Sequence, residues 1–101
     1  LKPGMVVSNE PGYYKADSFG IRIENLVVVR PCTELEGAER STLEFETLTL
    51  APIDLNLVDT SLMTASEVDW LNAYHARVRD IMQEGLPDDE KVWLETATRE
   101  I

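Results

Sequence analysis

Cysteine and histidine are almost missing from this 101-residue sequence, which has one of each, Cys32 and His75. A lone cysteine excludes an internal disulfide and any cysteine-rich zinc site, and it predicts a reducing, cytoplasmic setting. Basic side chains are scarce as well: nine Lys and Arg stand against nineteen Asp and Glu, a net charge of −10. That balance lacks the positive footprint of a nucleic-acid binder and is repelled by anionic membrane surfaces. No apolar run approaches the roughly 20 residues that cross a bilayer. Neither nucleic acid nor a membrane is therefore an expected partner. No secretory signal is visible, and the sequence opens on Leu1 rather than Met, so the expectation is a numbering that starts partway through a longer chain. No internal repeat or low-complexity segment is present.

What remains has the composition of a soluble globular protein, 44% hydrophobic and 28% charged. The length allows one small domain or a piece of a larger one. Lys2-Pro3-Gly4 reads as a turn leading into a strand at about Met5 to Asn9, broken by Pro11-Gly12. A loop rich in Tyr, Asp, Ser and Gly is expected as far as Gly20. The clearest strand runs from Ile21 to Arg30, with Pro31 ending it and residues 31 to 41 forming an exposed connection. Residues 43 to 50 alternate as a half-buried strand, and residues 53 to 63 are apolar but irregular.

From Thr64 the period becomes helical. Thr64 and Glu67 have capping-box spacing, and Val68, Leu71, Tyr74, Val78, Ile81 and Met82 recur on one face. Gly85 is a stop signal, and Pro87 followed by Asp88-Asp89-Glu90 opens a second helix carrying Val92, Trp93, Leu94 and Ala97. Strands followed by helices predict an α+β fold, and about three strands would sit more comfortably in a larger sheet.

Two carboxylates stand out. Glu10 ends an apolar run just before a Pro-Gly turn, and Glu24 lies among aliphatic residues of a strand. A carboxylate is costly to bury without a cation or hydrogen-bond partner, and hard divalent ions are one such partner. Strand alternation puts Arg22 and Glu24 on one face, about 7 Å apart. If the first strand pairs antiparallel with this one, Glu10 can reach the same face and two acids could bridge a metal pair. Composition and spacing alone favour the plainer alternative, an Arg–Glu surface pair beside an exposed Glu.

The motifs alter that balance. Leu1-Lys2-Pro3-Gly4-Met5-Val6-Val7-Ser8-Asn9-Glu10-Pro11-Gly12-Tyr13-Tyr14 resembles the late catalytic region of the Xaa-Pro aminopeptidases (aminopeptidase P). These are pita-bread metallopeptidases. Phe19-Gly20-Ile21-Arg22-Ile23-Glu24-Asn25 resembles the next motif of that family. Phe45 to Ile53, Asp69-Trp70-Leu71-Asn72-Ala73-Tyr74-His75 and Trp93-Leu94 resemble the C-terminal region of its long form.

The resemblance implies residues 1–42 as the end of a pita-bread catalytic domain and 43–101 as the long-form C-terminal region, a strand and two helices. It implies two divalent metal ions, commonly manganese, held by two Asp, one His and two Glu. Glu10 matches the Glu that ligates one metal and shuttles protons, and Glu24 the Glu that bridges both. Arg22 matches an arginine supporting a ligand carboxylate, and Tyr14 a tyrosine near the site. The implied reaction is hydrolysis of the N-terminal peptide bond preceding proline, by a metal-activated water, in a homodimer. No motif here matches the family's ligand Asp residues, ligand His or substrate-binding histidines, which lie earlier in its chains. The isolated segment is accordingly expected to bind no metal and to be inactive. Prolidase-type dipeptidase activity, or a non-catalytic dimerisation or binding module, are the alternatives. His75, Trp70, Tyr74 and Trp93 read first as packing residues, with an interface as the second role of the aromatics.

Overall fold

A computed structural model describes residues 1–33 and 35–101. Glu34, at the head of the acidic stretch 34–46, lies outside the described residues. The chain forms two compact units, Leu1–Thr49 and Leu50–Ile101.

The first unit is built of strands: β1 (Val6–Asn9), β2 (Gly12–Lys15), β3 (Phe19–Arg22), β4 (Asn25–Cys32) and β5 (Thr42–Thr47). β4 is central in an antiparallel sheet of order β1-β4-β5, and β2 and β3 form a separate antiparallel hairpin. Two expectations need correction here. The segment read as a loop up to Gly20 is a β-hairpin, because Tyr13, Tyr14, Phe19 and Ile21 are good strand residues despite the turn-forming Asp17-Ser18 between them. The single strand Ile21–Arg30 is interrupted at Ile23 and Glu24.

The interruption has a chemical cause. The register Asn9↔Asn25 and Gly12↔Arg22 continues unchanged across the gap, placing Glu10 opposite Glu24 and Pro11 opposite Ile23. Pro11 has no amide hydrogen to donate, so only one rung survives there, from the Ile23 N–H to the Pro11 carbonyl at 3.2 Å. β1–β2 and β3–β4 are thus two arms of one ribbon whose ladder lapses where the two acids face each other.

Pro31 does not end β4, which continues to Cys32 beside β5. The Val29 N–H bonds to Met5, so every second residue of β4 from there turns its backbone toward β1, Pro31 among them. The ladder of β1 ends at Val28, so among the described residues the missing donor of Pro31 faces no strand.

The second unit starts with two single 3₁₀ turns, Leu55–Leu57 and Thr60–Leu62. Each is capped by an aspartate, Asp54 accepting from the Asn56 N–H and Asp59 from the Ser61 N–H. Helix α1 (Ala65–Met82) opens with the expected capping box: the Glu67 N–H donates to Thr64 Oγ1, and the Thr64 N–H to Glu67 Oε2. Helix α2 (Asp88–Ala97) follows Pro87 and carries three acids in its first turn, where the helix dipole favours them.

Leu55, Leu71, Tyr74, Val78 and Leu94 form the core of this unit. Beyond α2, the Arg79 guanidinium donates to the carbonyl and hydroxyl of Thr98, and Asn72 exchanges hydrogen bonds with Ile101. Trp93, expected to pack, is 63% exposed, while its neighbour Leu94 is buried. Ile81 and Met82, expected on the apolar face of α1, are exposed as well, since the core of this unit stops at Val78.

Candidate metal centre

The ribbon places its chemistry on one face. Strand alternation and the shared register put Ser8 and Leu26, Glu10 and Glu24, Gly12 and Arg22, and Tyr14 and Gly20 side by side in successive pairs. Two like charges directly opposite each other destabilise a sheet. Arg22, one pair further along, answers this: Nη1 lies 3.5 Å from Glu10 Oε2, and Nη2 lies 3.5 Å from Glu24 Oε2. The other Glu10 oxygen accepts from the Ser8 hydroxyl at 2.9 Å.

All three charged side chains are about half exposed, so these ion pairs are screened and contribute little to stability. Their value is geometric, because the planar guanidinium fork fixes two carboxylates with one group. Arg22 is held still more firmly in its charged form, first by its interaction with the Tyr14 hydroxyl and then by Glu24 and Glu10.

Sequence reasoning brought Glu10, Arg22 and Glu24 together correctly, although through a continuous strand that does not exist. It missed that the acids are register partners, which only the pairing of both arms reveals. Ser8 was missed too, though a hydroxyl two residues before an acid on the same strand face was a usable signal.

The two carboxylates suit a hard divalent ion, offering oxygen donors from facing positions. Alone they are too few: among the described residues, no group of three or more His, Cys, Asp or Glu side chains could hold a metal. His75, the one histidine, is buried in the second unit with its Nε2 occupied by a backbone amide.

Residues 41–101 match the profile of the C-terminal region of peptidase M24. The chain belongs to this metallopeptidase family. Residues 1–31 match the profile of metallopeptidase family M24 itself. Among M24 relatives, Aminopeptidase P1 of Lotus japonicus is 42% identical over all of this chain, which spans 16% of that protein. A Fusarium vanettenii protein named "Probable Xaa-Pro aminopeptidase P" is 44% identical, again over the whole chain and 17% of its own length. The X-prolyl aminopeptidase of Caenorhabditis elegans, described as a cytosolic enzyme with a di-nuclear active site, superposes with a TM-score of 0.84 at 38% identity. All of this chain and 17% of that one are covered. The α+β arrangement of antiparallel strands followed by two helices is therefore that of the corresponding M24 segment. The chain spans about a sixth of the length of these relatives.

Proposed function

We propose that this chain is the C-terminal segment of an Xaa-Pro aminopeptidase, in which Glu10 and Glu24 supply two carboxylate ligands to a dinuclear centre. The reading rests on the facing pair Glu10 and Glu24 with Arg22 at 3.5 Å from both, in a chain alignable throughout with aminopeptidases of the P type. Residues 1–42 would end the catalytic domain and 43–101 would form the appended region. The substrate is a peptide with proline in second place. Two divalent ions, manganese by preference, would polarise the scissile carbonyl and activate water when bound by Glu10, Glu24 and ligands from elsewhere in the protein.

The chain's own residues do the rest. Glu10 takes the proton released by the attacking water and delivers it to the departing proline nitrogen, as a general base and then a general acid. Glu24 would supply the second carboxylate to the ions. Arg22 keeps both carboxylates facing inward and compensates their mutual repulsion. Tyr14 steadies Arg22. With only two of the ligands, the 101 residues by themselves have no turnover.

A cytoplasmic homodimer belongs to the same reading. It is supported by the lone cysteine, by Val92 and Trp93, each 63% exposed on α2, and by the absence among the described residues of a helix long and apolar enough to cross a membrane. The direct test is Glu24→Ala in a protein of the relatives' length that carries these residues. Metal-dependent cleavage of Xaa-Pro peptides should vanish, and full retained activity would sink the ligand assignment.

A further inference from the structure

Two glycines lie beneath the ring of Tyr14, and neither is there for its backbone. The glycines with positive φ are Gly4, Gly37 and Gly85, so Gly12 and Gly20 hold conformations open to any residue. What they supply is room. A Cβ on Gly20 would stand 2.7 Å from Cδ1 and 3.1 Å from Cε1 of Tyr14. A Cβ on Gly12 would stand 2.8 Å from the Tyr14 hydroxyl oxygen, 3.0 Å from its Cζ and 2.9 Å from Cγ of Arg22. At each glycine the shortest of these separations, 2.7 Å at Gly20 and 2.8 Å at Gly12, is one that real Cβ atoms essentially never show, so the ring would have to shift.

The ring therefore runs diagonally across the hairpin. Its near edge lies over Gly20, the cross-strand partner of Tyr14, and its hydroxyl end lies over Gly12, the partner of Arg22. An aromatic ring laid over a cross-strand glycine is a known way to cover bare sheet backbone, and that accounts for Gly20. It does not account for Gly12, which pairs with Arg22 and receives only the hydroxyl end. The second glycine gives the ring the length of seat it needs to bring its oxygen to the guanidinium. Tyr14 is 66% exposed, so burial does not hold it there.

We propose that Gly12 and Gly20 are positioning residues: together they form a seat that lays Tyr14 across the hairpin and aims its hydroxyl at Arg22, the cation between Glu10 and Glu24. The proposal deepens the aminopeptidase reading and rests on it for its functional meaning, while the seat itself is a structural relationship that stands alone.

The test uses the chain labelled with fluorotyrosine, the Tyr14 signal being assigned by its loss in Tyr14→Phe. Arg22→Met should shift the Tyr14 signal in the parent. Gly20→Ala and Gly12→Ala should each move that signal toward the position of free tyrosine and abolish its response to Arg22→Met. An unchanged Tyr14 signal that still responds to Arg22→Met in both glycine variants would overturn the seat. Denaturant unfolding covers the case in which a glycine variant folds poorly. Gly20→Ala should be harmful beside Tyr14 and harmless in a Tyr14→Ala background, whereas equal harm in both backgrounds would overturn the proposal. Neither readout depends on peptidase activity, so loss of the seat and loss of the aminopeptidase reading are separate results.

Discussion

The Nε2 atom of His75 accepts the backbone N–H of Ile53 at 3.0 Å, tying helix α1 to the segment that precedes it. His75 is fully buried, and its neighbour Tyr74 donates to the Ala51 carbonyl at 2.7 Å, so adjacent residues grip the same segment. Because Nε2 accepts, the ring must be neutral with its proton on Nδ1, an atom buried without a partner in hydrogen-bond geometry among the described residues. Replacing His75 by Leu leaves the Ile53 N–H unsatisfied at a cost of about 1–3 kcal/mol. His75→Gln, which can restore an acceptor, should cost less. Denaturant midpoints of the two variants check this, and equal midpoints would exclude a role for the hydrogen bond.

The same ring predicts a pH dependence. Burial, and secondarily the charge of Arg79, push the His75 pKa below its usual 6.5, against a smaller opposing influence from the Arg99 backbone. The unfolded chain then binds a proton that the folded chain resists, so stability falls as pH drops below about 6.5 and stops falling once the folded ring titrates. Thermal unfolding should show a loss of Tm over that window that is absent in His75→Gln. Parallel profiles for the two proteins would contradict it.

Helix α1 depends on its start. Thr64→Ala removes the hydroxyl that accepts the Glu67 N–H and should cost about 1 kcal/mol of stability, read as a lowered denaturant midpoint. Bonds from the Thr64 backbone N–H and then its hydroxyl hold the Glu67 carboxyl below its usual 4.5. Its contribution is therefore complete above 4.5 and fades as pH falls through the lowered value. Thr64→Ala should be less harmful in acid than at neutral pH.

The helices were legible because their signals are local. Thr64 and Glu67 are three residues apart, and Pro87 with its acids marks a start that needs no distant partner. The face of α1 was legible only as far as Val78, because whether Ile81 and Met82 meet anything depends on tertiary contacts that periodicity does not contain. Tyr13 to Ile21 failed as a strand pair for a related reason: Gly12 and Gly20 signal a loop in isolation and make space for a ring in the hairpin. The acids were located by motif, yet their direct opposition appears only when the registers of two separate ladders are found to be one.

Arg22 is the residue whose replacement separates charge from shape. Lysine keeps the positive charge, but its three donors sit on one nitrogen at the end of a flexible stem, whereas the rigid guanidinium fork offers Glu10 and Glu24 separate nitrogens, each at 3.5 Å. Arg22→Lys should leave the fold intact, because the ion pairs are half exposed and contribute little to stability. In a protein of the relatives' length it should lower metal affinity or activity by about 10–100-fold, as is typical when a group supporting metal ligands is lost. Calorimetric titration with manganese, alongside a melting curve, distinguishes the two effects. Unchanged affinity and activity in Arg22→Lys would mean that only the charge matters, and a collapsed melting curve would mean that Arg22 belongs to the fold rather than to the site.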